Sequence, residues 1–174
     1  MTVDRRPSTA GWLRLFGCAC LILLLGLTHP VTAAEKFKSF KLKSLDGASK
    51  TLEDYKSKAT LIAFFFPTCA YCNKAFPETV KIYDKYKDQG LTMVWINIVK
   101  EEEGQIQPWL QQHQYNVPVL IGASQQYLMN RYGVEVTPDH FLVNANGEIL
   151  FHQRGYEDGY ENELEAQVRK ALSL

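Results

Sequence analysis

TLIAFFFPTCAYCNKAFP, residues 60–77, decides the fold. Its first seven residues are an unbroken apolar run between Lys58 and Pro67, too short for most helices, and they read as a buried central strand. Two cysteines, Cys69 and Cys72, follow at once. From residue 69 to 88 the pattern is helical, with Phe76, Val80, Tyr83 and Lys87 recurring at three- or four-residue steps. Pro77 lies inside that pattern and is expected to kink the helix, and Gly90 ends it. A strand thus hands over to a helix at the cysteine pair.

Upstream, residues 36–45 alternate Lys with apolar residues as an edge strand does. Asp46-Gly47 is a turn signal, and residues 51–56 form a short helical turn. Downstream, Leu91 to Val99 reads as a strand with Val94, Ile96 and Ile98 on one side. Residues 103–114 read as a helix around Trp109 and Leu110, residues 117–121 as a short strand, and residues 124–132 as a helix stopped by Gly133. Thr137-Pro138 precedes a strand over residues 140–144, a turn at Asn146-Gly147 and a return strand over residues 149–153. A last amphipathic helix from about Glu161 carries Leu164, Val168, Ala171 and Leu172. The order β-α-β-α-β-α-β-β-α predicts an α/β fold: parallel strands with helical crossovers, closed by an antiparallel hairpin, giving a mixed central sheet with helices on both faces.

Lys and Arg number 19, Asp and Glu 19, so the net charge is zero and there is no electrostatic footprint for nucleic acid. With 46% apolar residues the chain builds a core without disulfides. Arg5, Arg6 and Arg14 flank an apolar run from Leu15 to Leu27, which is of signal-peptide length and short for a membrane span. The small residues Ala33 and Ala34 suit a cleavage site. The alternative is an uncleaved anchor extended through Trp12 and Leu13. Residues 1–34 are therefore read as an export segment and residues 35–174 as one domain. Of the four cysteines, Cys18 and Cys20 belong to the export segment, so the domain keeps only Cys69 and Cys72.

At the start of a helix, unpaired backbone N–H groups and the macrodipole favour negative charge. A thiolate at Cys69 is expected to be stabilised there, below the free thiol value of about 8.5. A spacing of three puts Cys72 one turn away, within reach of a disulfide. The expected chemistry is thiol–disulfide exchange, with Cys69 as the more exposed nucleophile and Cys72 as the resolving thiol. Zinc needs four ligands, and His113, His140 and His152 are scattered, so no metal site and no cofactor is expected.

Apolar strand, CxxC, a Pro five residues after the second Cys, and a late Thr-Pro before a hairpin occur in the order of the thioredoxin superfamily. LDGASKTLEDYKSKATLIAFFF and VTPDHFLVNANGEILFHQRG resemble the exported TlpA-like (redoxin, AhpC/TSA-type) disulfide reductases, some of which serve cytochrome c maturation. The resemblance covers nearly all of residues 36–174. It implies a thioredoxin-like three-layer fold, protein thiol and disulfide substrates, a membrane electron donor, and work outside the cytoplasm, in the periplasm or anchored facing it. Membrane contact would run only through an uncleaved N-terminal segment. It also implies that Pro138 is the cis-proline facing the CxxC, with the Thr137 backbone free to pair with an extended substrate. Tyr71 would join the docking surface.

Several positions depart from these relatives. Pro67-Thr68 stands where an aromatic usually precedes the first Cys. Ala63 stands where thioredoxin has a buried Asp, Trp95 where it has Lys, and Ala75 where many TlpA-like chains have Glu. No proton partner for Cys72 is thereby identified; Glu78, Asp139 and His140 are its neighbours in sequence or fold and read as solvated or packing residues. Two rival functions are a peroxiredoxin-like peroxidase and a copper- or partner-binding module. The peroxidase motif Pro-x-x-x-Thr-x-x-Cys counted from Pro67 would need Thr at Tyr71 and Cys at Lys74, and it has neither.

Overall fold

The computed structural model describes Met1, Thr2 and residues 34–174. Residues 1–34, read from the sequence as an export segment and containing Cys18 and Cys20, lie outside the described residues apart from Met1, Thr2 and Ala34. Among these residues the chain forms β1 (Lys41–Ser44), β2 (Ser49–Thr51), β3 (Ala59–Phe65), α1 (Ala70–Tyr86), β4 (Leu91–Asn97), α2 (Glu103–His113), β5 (Val119–Ile121), α3 (Gln125–Tyr132), β6 (Asp139–Asn144), β7 (Ile149–Arg154) and α4 (Tyr160–Leu172), with single helical turns at Leu52–Tyr55, Lys87–Gln89 and Lys100–Glu102.

The seven strands lie in the order β2-β1-β5-β4-β3-β6-β7. β3, β4 and β5 are mutually parallel, and the outer pairings are antiparallel. β3 is buried along its whole length because strands flank it and helices or chain cover both faces. Its side chains alternate: Ala59, Leu61, Ala63 and Phe65 face a core built with α1, α2 and α4, while Ile62 and Phe64 face one built with Leu128 of α3, the Leu52–Tyr55 turn, and Phe37 and Phe40. The mixed sheet with helices on both faces matches the sequence reading.

Two expectations change in detail. The first strand is shorter than residues 36–45 and is not an edge. The Asp46-Gly47 turn, with Gly47 at φ 86, folds β2 back outside it, and β1's other side pairs with β5. The buried row of α1 is Cys72, Ala75, Phe76, Thr79, Ile82 and Tyr86, whereas Val80 and Tyr83 are half-buried flanks and Lys87 is exposed. The row that meets the sheet starts from Cys72, one turn earlier than apolarity alone indicated. α1 carries on through Pro77 to Tyr86.

Candidate active site

β3 ends at Phe65, and the four residues that follow turn the chain into α1. Cys69 is the N-cap of that helix. Its φ of −66° and ψ of 109° are extended, and its Sγ accepts the Cys72 N–H at 3.1 Å. Cys69 and Cys72 are joined as a disulfide with their Cα atoms 5.2 Å apart. Cys72 is fully buried and Cys69 keeps 5% exposure, so the first sulfur is the one nearer solvent.

The turn is held from three sides. Asn73 Nδ2 donates to the carbonyls of Pro67 and Cys69, both at 3.0 Å, and Trp109 Nε1 of α2 in turn donates to Asn73 Oδ1 at 2.9 Å. Glu102 accepts from the Thr68 N–H at 3.0 Å and from its hydroxyl at 2.7 Å. From the far side, Thr137 brings its hydroxyl within 3.4 Å and its carbonyl within 3.7 Å of Cys69 Sγ. The Thr137–Pro138 peptide is cis, and the Pro138 carbonyl accepts the Gly155 N–H at 2.8 Å, tying this loop to the end of β7.

Around the sulfur the surface is apolar and aromatic. Tyr71 is 57% exposed and Val136, beside Thr137, 49%. The Tyr71 ring stacks on Tyr156 from the β7–α4 loop at 6.3 Å, and the Lys74 ammonium lies 5.5 Å from the first ring and 6.0 Å from the second.

Of the three neighbours that could serve Cys72, only Asp139 lies across the sheet from it. Glu78 pairs with Lys81 at the surface. Asp139 lies on the Phe64 side, where its Oδ1 meets His152 Nε2 at 2.6 Å; burial pushes its carboxyl up, and the charge of His152 opposes that rise. His140 lies on the α1 side. It and Trp95 flank Ala63 in register, so the site left open by the small Ala63 is bordered by an indole and an imidazole. His140 Nε2 is 3.5 Å from Thr79 Oγ1, its ring stacks on Tyr160 at 5.8 Å, and Nδ1 has no partner among the described residues. Burial pushes His140 down to about 4, so at neutral pH it is uncharged. Tyr160, raised by burial, donates to the Ala75 carbonyl. His113, the remaining sequence candidate, stacks on Tyr115 at 5.2 Å.

A family model described as Redoxin matches residues 32–168. The chain belongs to the Redoxin family. Similar members include the thiol-disulfide oxidoreductase ResA of Halalkalibacterium halodurans, 27% identical over 148 residues, covering 80% of this chain and 83% of that one. The ResA of Bacillus subtilis is 30% identical over 112 residues, 64% of this chain and 62% of that one. The fold also matches a crystal structure described as the thiol:disulfide interchange protein DsbE of Chlorobium tepidum, with a TM-score of 0.72, 26% identity, and coverage of 80% of this chain and 96% of that one. This Redoxin chain is therefore an oxidoreductase of the thioredoxin-fold, thiol–disulfide kind, and the resemblance read from residues 36–174 holds.

Asn73, Trp109, Glu102 and Tyr156 were not visible as site residues in the sequence. Asn73 stands beside the motif but carries no signature. The others reach the site from separate elements, which only the sheet order brings together.

Proposed function

We propose that this Redoxin protein acts outside the cytoplasm as a reductase of protein disulfides, with Cys69 as nucleophile and Cys72 as resolving thiol. The observation that carries the reading is the Cys69–Cys72 pair at the start of α1, facing the cis Thr137–Pro138 peptide. The Cys69 thiolate attacks one sulfur of a substrate disulfide. A Cys69–substrate S–S bond forms, the substrate's own S–S bond breaks, and the second substrate sulfur leaves as a thiolate that takes a proton. Cys72, having lost its proton, attacks Cys69 Sγ and releases the first substrate sulfur. The substrate gains two electrons and two protons, and the protein is left as the disulfide. A dithiol donor, in this reading a membrane protein, restores it by the reverse sequence.

Tyr71, Thr137 and Pro138 form the docking surface. Tyr71 offers an exposed ring. The Thr137–Pro138 segment offers backbone next to the reactive sulfur for an extended substrate to pair with as an added strand. Substrates are cysteine pairs of exported proteins, apocytochromes c among them. Residues 1–34 direct export and are either removed or kept as an anchor facing the periplasm.

The test is trapping. Cys72→Ser should accumulate mixed disulfides with exported proteins, visible as reductant-sensitive adducts, and Cys69→Ser should accumulate none. Equal trapping by both variants defeats the assignment. A reduction potential near −270 mV fits a reductase, whereas one near −120 mV assigns the opposite direction.

A further inference from the structure

Glu102 is the N-cap residue of α2, where a carboxylate ordinarily accepts from the N–H groups of its own helix. It makes no such bond. Its side chain crosses instead to the β3–α1 turn, 34 residues earlier in the chain, and takes both the N–H and the hydroxyl of Thr68. Thr68 immediately precedes Cys69. A carboxylate oxygen 3.0 Å from the Thr68 nitrogen lies within about 11 Å of the Cys69 sulfur, since N–Cα is about 1.5 Å and successive Cα atoms are about 3.8 Å apart. That is about one Debye length at 0.1 M salt, and part of the path runs through protein.

Among the described residues, Lys100 and Glu101 in the helical turn before Glu102 make no ion pair or side-chain hydrogen bond, and the other charges near this end of the sheet have these partners. Glu103 Oε1 accepts from the Gly122 N–H at 2.8 Å, Asp139 is paired with His152 on the opposite face, and the Lys74 ammonium lies over the Tyr71 and Tyr156 rings. Glu102 forms no ion pair among the described residues. Its negative charge is therefore not paired with a cation, and the two Thr68 bonds hold it near the thiol.

We infer that Glu102 is a positioning and tuning residue for the cysteine pair: it clamps the turn before Cys69 and, by its charge, opposes the thiolate that the start of α1 favours. Raising the free energy of the thiolate makes the dithiol state less favourable relative to the disulfide. The pair thereby becomes more strongly reducing, and the thiolate a better nucleophile for its concentration. This rests on the reading of Cys69 as the attacking thiol.

The test separates charge from clamping in the full chain. The Cys69 thiolate is titrated by its ultraviolet absorbance in a Cys72→Ser background. The disulfide equilibrium is measured in the two-cysteine protein, where one protein disulfide and two glutathione molecules exchange with one protein dithiol and one oxidised glutathione. Glu102→Gln should lower the thiolate midpoint by about half a unit to one unit and, at a pH above both midpoints where the thiolate is the populated form, move the glutathione equilibrium roughly three- to tenfold toward the dithiol, tenfold being about 30 mV. Both shifts should shrink in 1 M salt. Thr68→Val removes the hydroxyl bond and keeps the charge, so it should move either quantity by less than half as much. Unchanged values in Glu102→Gln, or equal shifts in the two variants, overturn the inference while leaving Cys69 as the nucleophile. If the Cys72→Ser protein shows no thiolate titrating below the free thiol range, the assignment of Cys69 falls as well.

Discussion

His140 shows how a single side chain sets a pH response in this fold. It is fully buried between Phe76 of α1 and Tyr160 of α4, and its value is pushed down from about 6.5 to about 4. In the unfolded chain the imidazole takes up a proton as pH falls through about 6.5; in the folded protein it does not until about 4. The unfolded state thus binds more protons in that window, and stability present above about 6.5 is lost as pH falls toward 4. Linkage gives a loss of about 2 kcal/mol between pH 7 and pH 5. Asp139 runs the other way, because burial raises its carboxyl and so favours the folded state as pH falls. The readout is therefore a difference: urea unfolding at pH 7 and pH 5 should show a smaller loss in His140→Leu than in the parent by about that amount, with Asp139 unchanged in both. Equal losses would mean that His140 is solvated. The Cys69–Cys72 pair was legible in the sequence because CxxC is a local motif, and the cis Thr137–Pro138 peptide only through the family resemblance. The neutral state of His140 was not, because it depends on β6 lying beside Ala63 and on α1 and α4 covering that strand.

At the level of elements, the alternation of strand and helix predicted the sheet because each element buries its own periodic face. β3 needs no partner information to be read as central: six apolar residues and Thr60, with no polar face, demand cover on both sides. The buried row of α1 was harder, since Val80 and Tyr83 are as apolar as Ile82 and Tyr86. The angle at which the helix meets the sheet decides between them. Helix and turn ends also make a paired prediction about glycine. Gly90 closes the Lys87–Gln89 turn at φ 108, and a Cβ there would stand 2.8 Å from the Lys58 side chain. Gly104 sits in the first turn of α2 with open space around it. Gly90→Ala should cost about 1 kcal/mol or more, whereas Gly104→Ala should add a few tenths to about 1 kcal/mol. Denaturant midpoints moving in opposite directions would bear this out; parallel shifts would refute it.

At the level of the whole molecule, residues 35–40 precede the first strand yet close the second core. The Glu35 carbonyl accepts from Ile149 N–H at 2.8 Å, Phe37 N–H donates to the Gly147 carbonyl at 2.9 Å, and Lys36 bridges to Glu148. Phe37 stacks on Tyr132 at 4.9 Å and meets Phe141 edge-on at 5.2 Å, which joins α3 to β6 across the face opposite the cysteines. Phe40 is buried against Tyr55. Burying a phenylalanine contributes about 1.5–3 kcal/mol, so these two side chains together supply about 3–6 kcal/mol, a large share of an ordinary domain's stability of about 5–15 kcal/mol. A domain that starts at Glu35 should therefore keep its cooperative unfolding and its disulfide exchange, whereas one that starts at Lys41 should unfold at a much lower urea concentration. The cysteine end should suffer only indirectly, because Cys69, Thr137 and Glu102 make their contacts without this segment. The two fragments should then differ in unfolding free energy by about 3–6 kcal/mol, with a correspondingly lower urea midpoint for the shorter one, yet share one glutathione equilibrium constant under conditions where both are folded. A changed constant would mean that the N-terminal segment also shapes the site.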